Sequence, residues 1–241
     1  MATHTWRGDV PLLTPRRRHG HEYLDDPVIN ARVAERSMAD VARANAMFGG
    51  AQAVLAELDD LLRGPSARFT MLDVGTGLGD IPARIRALGE RRGVEVCTVG
   101  LDASETLSVA ANGKALPVVR ADARYLPVAD RSFDVVLCSQ LLHHFPGDEG
   151  LGLVRELDRV ARRRVIISDI RRSWVAAAGI WLASWPLRFH PVSRHDGVVS
   201  VMRGFTVDEL MGVVHTAVGV TPRVRRRRGF RVTASWEPLH R

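Results

Sequence analysis

Leu72-Asp73-Val74-Gly75-Thr76-Gly77-Leu78-Gly79-Asp80 is the stretch that decides the fold. An apolar run, Phe69 to Leu72, feeds an acidic residue, then three glycines at alternate positions, then a helical pattern from Ile81 to Arg91. That order reads as a strand, a tight turn and a helix N-terminus, where glycine lets backbone approach a ligand closely. A dinucleotide fingerprint wants a third small residue where this chain has Asp80, a carboxylate that would repel a pyrophosphate. The spacing therefore suits a ligand without phosphates, such as a nucleoside carrying an amino acid, and argues against a nicotinamide oxidoreductase.

Outward from this loop, strand and helix patterns alternate. Upstream, Asp26 as N-cap and Pro27 at the first helical position open a helix carrying Ile29, Val33, Met38 and Val41, ended by Gly49-Gly50. A second amphipathic helix holds Leu55, Leu58, Leu61 and Leu62 and stops at Gly64-Pro65. Downstream, strands are predicted at Val94 to Leu101, Pro117 to Ala121, Phe133 to Ser139 and Val165 to Ser168, with helices after Ser104 and over Gly150 to Arg162. A further helix spans Val207 to His215. Two last strands, Val218 to Arg225 and Phe230 to Trp236, join at Arg228-Gly229 as a hairpin. The expected fold is α/β: a doubly wound, mostly parallel seven-stranded sheet with an antiparallel C-terminal edge strand. We divide the chain into a flexible arm (1–22) and one domain (23–241). The domain comprises a helical segment (23–64), a core (65–170), an insertion (171–205) and the C-terminal helix and hairpin (206–241).

The 241 residues are 46% hydrophobic and 25% charged, ordinary for one globular domain. The net charge of +7 invites a nucleic-acid partner. However, Lys114 is the only lysine, and the clusters Arg16 to Arg18, Arg162 to Arg164 and Arg225 to Arg228 are scattered, so a solvated surface is the expectation. The N-terminus lacks an apolar signal core, which favours a cytoplasmic location. The apolar run Trp174 to Leu187 is shorter than the ~20 residues a membrane span needs. Cys97 and Cys138 lie in strand-like runs and are expected to be buried, reduced thiols; no metal is expected.

Ligands of open α/β sheets bind beyond the carboxyl ends of the strands. Asp102 closes the second strand, where its two oxygens match a cis-diol such as ribose. The helix N-terminus after Gly79 favours a ligand carboxylate. Asp73 can balance a cationic amino group, and Asp122, after the third strand, can accept from an exocyclic amine. Ser139-Gln140 follow the fourth strand.

These residues resemble the class I S-adenosylmethionine-dependent methyltransferases, from about Phe69 to Asp169 and more weakly to Arg241. Asp73 to Asp80 is similar to the family's first motif, Asp102 to its ribose-binding acid, and Ala121-Asp122-Ala123 with Leu126-Pro127 to its adenine-side segment. Phe133-Asp134-Val135-Val136 through Leu142-His143-His144-Phe145 resembles the fourth-strand motif of the small-molecule branch that includes quinone-biosynthesis enzymes. The resemblance implies a Rossmann-like sheet and S-adenosyl-L-methionine as cofactor. It implies a cofactor site of Asp73, Gly75, Thr76, Gly77, Gly79, Asp102, Ala103, Asp122, Ala123 and Gln140. Residues 23–64 would form a lid, and Asp169 to Arg172 with the Trp-rich insertion would shape the acceptor pocket.

The implied reaction is in-line displacement on a sulfonium methyl, for which the protein supplies alignment, dryness and, for a hydroxyl acceptor, a base. Candidate bases are His144, just past the fourth strand, and His195, which Asp196 would orient. The implied acceptor is a small, hydrophobic, aromatic, polyketide-like or quinone-like molecule, methylated on oxygen rather than carbon. Trp174, Trp181, Trp185 and Phe189 recur at helical intervals, as core packing, as a wall for such an acceptor, or as weak contact with a membrane surface. The alternatives are an RNA or protein methyltransferase, or a binding protein without turnover. Ser139-Gln140-Leu141-Leu142 stands where methylases of base amines resemble one another in an Asn/Asp-Pro-Pro-aromatic motif, which counts against the nucleic-acid alternative.

Overall fold

The computed structural model describes residues 13–26, 28–63, 68–113 and 116–239. Seven strands form one sheet: β1 (Arg68–Val74), β2 (Glu95–Asp102), β3 (Val118–Arg120), β4 (Phe133–Ser139), β5 (Ala161–Ile170), β6 (Arg223–Arg227) and β7 (Arg231–Trp236), in the order β3-β2-β1-β4-β5-β7-β6. β1 to β5 pair in parallel. β7 runs antiparallel to both β5 and β6, so the C-terminal hairpin forms one margin, with β6 outermost. The architecture is the predicted doubly wound, Rossmann-like sheet.

Successive residues of a strand face opposite sides, so a doubly covered sheet has two cores. On one side Phe69, Met71, Val135 and Leu137 pack with Ile81 and Ile85 of α3 (Asp80–Arg91) and with Val54 of α2 (Gly50–Glu57). On the other, Leu72, Val74 and Val136 pack with Leu153 and Leu157 of α5 (Asp148–Val160) and Leu210 of α8 (Val207–Val218). The register Asp73↔Gly100 and Asp73↔Leu137 sets β1, and therefore the glycine loop, between β2 and β4 in the interior of the sheet.

Several boundaries differ from the sequence reading. α1 (Ala31–Met47) is capped by Asn30, whose side chain accepts from the Arg32 N–H; Asp26 closes a turn through the Val28 N–H, and Pro27 lies outside the described residues. α2 ends at Glu57, and buried Leu58 and Leu62 continue in turns; Gly64-Pro65 lie outside the described residues. α5 stops at Val160, and Arg162 belongs to β5; the Arg164 guanidinium from this run binds Asp60 at 2.6 Å. α8 extends to Val218, closed by Gly219 in the left-handed region, so β6 starts only at Arg223. Cys138 is buried, whereas Cys97 is half-buried, its thiol 3.3 Å from a Glu95 oxygen.

The described part of the expected arm, residues 13–22, is packed rather than loose. The Arg17 guanidinium lies 4.0 Å over the Phe205 ring and donates to the Arg203 carbonyl at 2.7 Å, and Glu22 is 3% exposed. Arginine anchors a polar segment because its planar head pairs and stacks while its stem covers apolar surface. Residues 171–205 form two helices, α6 (Trp174–Ser184) and α7 (Pro191–Arg203). Buried Asp40 of α1 accepts from the His190 N–H at 2.7 Å and the Ser193 hydroxyl at 2.9 Å, tying α1 to the start of α7. Asp196 of α7 accepts from the N–H groups of Tyr23 and Leu24. The 13–26 segment, α1 and the insertion thus cap the carboxyl ends of the strands. α2, expected in the lid, instead joins the core, and Glu57 at its end accepts from Thr233 at 2.6 Å and Ser235 at 3.0 Å on β7.

Candidate active site

A cavity of about 1380 Å³ lies between the strand ends and this cap. Its floor is the glycine loop. Gly75, Gly77 and Gly79 have φ of +76°, +53° and +70°, where side chains are strained. A Cβ on Gly75 would stand 2.8 Å from Leu141, and one on Gly77 2.8 Å from Met38. The Gly75 and Thr76 N–H groups donate to the Leu101 carbonyl, folding the loop against β2.

Asp102 ends β2 facing the cavity. One oxygen accepts from the Gly77 N–H and the other from the Ser104 N–H, each at 2.9 Å, and Ser104 caps α4 (Glu105–Asn112). Burial raises its carboxyl above the ordinary value. Asp73 sits beneath the loop, 2% exposed: one oxygen accepts from the Thr76 hydroxyl at 2.8 Å and the other has no hydrogen-bond partner. Burial, with Asp80 and Asp102 nearby, pushes it up to about 7. A glycine cradle beside two desolvated carboxylates, one with an orphaned oxygen, fits a ligand that brings a cation and a diol.

Among the expected cofactor residues, Gly75, Gly77, Asp102, Ala103 and Gln140 line the cavity. Thr76 and Gly79 lie with Asp73 in the supporting loop; Gly79 starts α3. Asp122 and Ala123 are outside the lining, and the Asp122 carboxylate is occupied by the Arg124 guanidinium at 2.7 to 3.2 Å. Gln140, at φ +54°, is held by Arg231 at 2.6 Å and by Asn45.

His144 and His195 have different settings. His144 lines the cavity, with Nδ1 2.8 Å from Asp25 and 3.0 Å from the Arg203 guanidinium. His195 is outside the lining, on the half-exposed face of α7, with Nδ1 2.9 Å from Asp196 and its ring 4.7 Å from that of Tyr23. The residue that sequence reasoning passed over is His143. It is 1% exposed, with Nδ1 2.7 Å from Asp169 Oδ1 and its N–H donating to Asp169 Oδ2 at 3.2 Å. Its Nε2 has no hydrogen-bond partner. Burial opposes charge on Asp169, but His143 outweighs it and holds the carboxyl below its ordinary value. Register brings the two together: β4 and β5 pair at Ser139↔Ser168, which sets the residues after one strand beside those ending the other.

Glu22 completes this wall, 3.8 Å from His143 Nε2 and 3.1 Å from Arg203, its carboxyl pushed by burial up to about 7. Burial also opposes charge on Asp25, yet His144 and Arg203 bring it to about 2. Ligand atoms of Glu22, His143 and His144 lie within 4.8 Å of one another, the spacing of a metal-ligand set, but the Arg203 guanidinium already supplies a cation there.

The tryptophans of α6 and its C-terminal cap neither fill the core nor face the cavity. Trp174, Trp181 and Trp185 are about half exposed. The cavity is instead walled on this side by Val175, Ile180, Phe189 and Val201.

Residues 72–168 match a family model described as a methyltransferase domain. No curated protein matches the chain. Solved structures do. One is a SAM-dependent methyltransferase from Aquifex aeolicus: 19% identical, TM-score 0.53, covering 78% of this chain and 89% of that one. Another is magnesium protoporphyrin IX methyltransferase from Synechocystis with bound SAH: 18% identical, TM-score 0.53, covering 82% and 84%. The CMeT domain of the citrinin polyketide synthase is 14% identical, TM-score 0.57, covering 77% and 51%.

Proposed function

We propose that this chain, whose residues 72–168 match a methyltransferase domain model, is a class I S-adenosylmethionine-dependent methyltransferase that methylates a hydroxyl oxygen of a small, hydrophobic, phenol-like or enol-like acceptor. The observation that carries this reading is the His143–Asp169 pair: a buried imidazole held by a carboxylate at 2.7 Å, its other nitrogen without a hydrogen bond and 3.8 Å from Glu22 in the wall of the cavity. Bound S-adenosylmethionine supplies a methyl group already activated on a sulfonium. The acceptor oxygen would take that methyl group, a carbon–oxygen bond forming as the carbon–sulfur bond breaks, and its proton would pass to His143 Nε2. Asp169 keeps the proton on Nδ1, so that Nε2 is the free lone pair, and stabilises the imidazolium that results. Gly75 and Gly77 would take the methionine end of the cofactor and Asp102 its ribose. The apolar wall around Ile180 and Phe189 favours an aromatic or polyketide-like body and keeps the site dry.

The test is methyl transfer from labelled cofactor to a panel of hydrophobic phenols, quinols and polyketide-like enols, with the product assigned as ether or carbon-methylated by NMR. His143→Gln and Asp169→Asn should each lower kcat by about 10²-fold or more while the affinity for S-adenosylhomocysteine is unchanged. Undiminished turnover in His143→Gln overturns His143 as the base, and carbon-methylated product overturns the hydroxyl acceptor.

A further inference from the structure

From Ser173 to Leu187 the chain has no charged residue, so α6 is apolar on every side. Such a helix is ordinarily enclosed all round. Its inner face is: Ala176, Ala177 and Ile180 pack with Val201 and Met202. Its outer face is bare. Trp174, Trp181, Leu182 and Trp185, at helical spacing along one side, are 45%, 47%, 61% and 55% exposed. Arginines collar its C-terminal end. Arg188, exposed, follows the helix, Arg36 of α1 donates to the Arg188 carbonyl at 3.3 Å, and the Arg194 guanidinium lies 3.7 Å over the Trp185 ring. No acidic residue occurs between Ile170 and His195.

We propose that the outer face of α6 docks on an anionic membrane surface and sets the mouth of the cavity against it. Indoles at this level and arginines around them are the chemistry of an interfacial helix, in which apolar side chains enter the acyl boundary and cations meet headgroups. Among the described residues no helix is long and apolar enough to cross a membrane, so the contact is lateral. A second copy fits less well, because a two-fold contact through this face would oppose the same arginines to themselves. Val175 and Gly179 are both exposed and part of the cavity lining, so an apolar molecule held in the bilayer reaches the site without crossing water.

The experiment is co-sedimentation of the full chain with large vesicles of phosphatidylcholine alone or mixed with phosphatidylglycerol, a readout independent of methyl transfer. The chain should pellet with the anionic vesicles, be released by added salt, and bind pure phosphatidylcholine far less. Arg188→Glu should lower the partition constant about fivefold or more. Trp181→Glu with Leu182→Glu should lower it at least about tenfold, with melting temperature and S-adenosylhomocysteine affinity retained. If the double variant loses its fold, Arg188→Glu and the salt response decide alone. No pelleting, or equal binding to both vesicles, overturns the proposal. A dimer in sedimentation velocity that Trp181→Glu with Leu182→Glu dissolves also overturns it, assigning the face to a second copy.

Discussion

Asp73 shows how a single desolvated carboxyl couples protons to both folding and ligand. Its folded value of about 7 stands above the ordinary 3.8. As pH rises through that interval the unfolded chain releases a proton that the folded chain retains, so this residue's contribution makes stability fall from about pH 4 to about pH 7 and level off above. A cationic amino group brought against Asp73 by the cofactor reverses the preference and favours the ionised form. Cofactor binding below about pH 7 should therefore release a proton and tighten as pH rises. Calorimetry in two buffers of different ionisation enthalpy reads the released proton directly; Asp73→Asn should abolish the difference. Asp102 works differently, since both its oxygens already accept from Gly77 and Ser104. Asp102→Ala should weaken S-adenosylhomocysteine binding by about 2 kcal/mol or more, because charge-assisted bonds to the sugar and the loop anchor vanish together. Unchanged affinity in that calorimetry would contradict the ribose assignment.

At the scale of elements, the strands were legible because burial on both sheet faces leaves short apolar runs bounded by turn residues, and β4 matches its sequence span residue for residue. Helix ends were less so, since caps compete: Asp26 and Asn30 each accept from the N–H two residues on, and the helix starts after Asn30. The arginine run at 162–164 misleads in the same way, because it reads as a helix end but starts a strand whose Arg164 reaches Asp60. The outermost strand β6 carries exposed Arg223, Arg225 and Arg226, charges that discourage another chain from adding to the open edge. Its turn docks on the end of α1: Gly229 has φ +67°, and a Cβ there would sit 1.6 Å from the Phe48 carbonyl oxygen. Gly229→Ala should destabilise the fold by about 3 kcal/mol or more, seen as a lowered urea midpoint, whereas Gly93→Ala, with open space around its Cβ, should cost only about 1 kcal/mol from its positive φ.

Across the whole molecule, the site wall gathers Glu22 and Asp25 from the N-terminal segment, His143 and His144 from the 3-10 turn after β4, Asp169 from β5 and Arg203 from α7. The Arg203 side chain is 9% exposed and pairs with both Glu22 and Asp25. Arg203→Met should therefore lower stability by about 3 to 5 kcal/mol, since it strands two partly desolvated carboxylates; thermal and urea unfolding measure it.

What the chain determined by itself was the alternation of strands and helices, with the glycine loop and the acid that closes β2. Alternating strand and helix periods, glycines forced into positive φ and an acid at the end of a strand are local devices, each specified by residues within a few positions of one another. Only the tertiary structure decided which histidine holds a free nitrogen, that residues 13–22 pack, and that the tryptophans of α6 face outward. Those outcomes depend on partners distant along the chain, His143 with Asp169, Glu22 with Arg203 and Arg17 with Phe205. Desolvation and pairing between such partners are set by packing, which no short window of sequence contains.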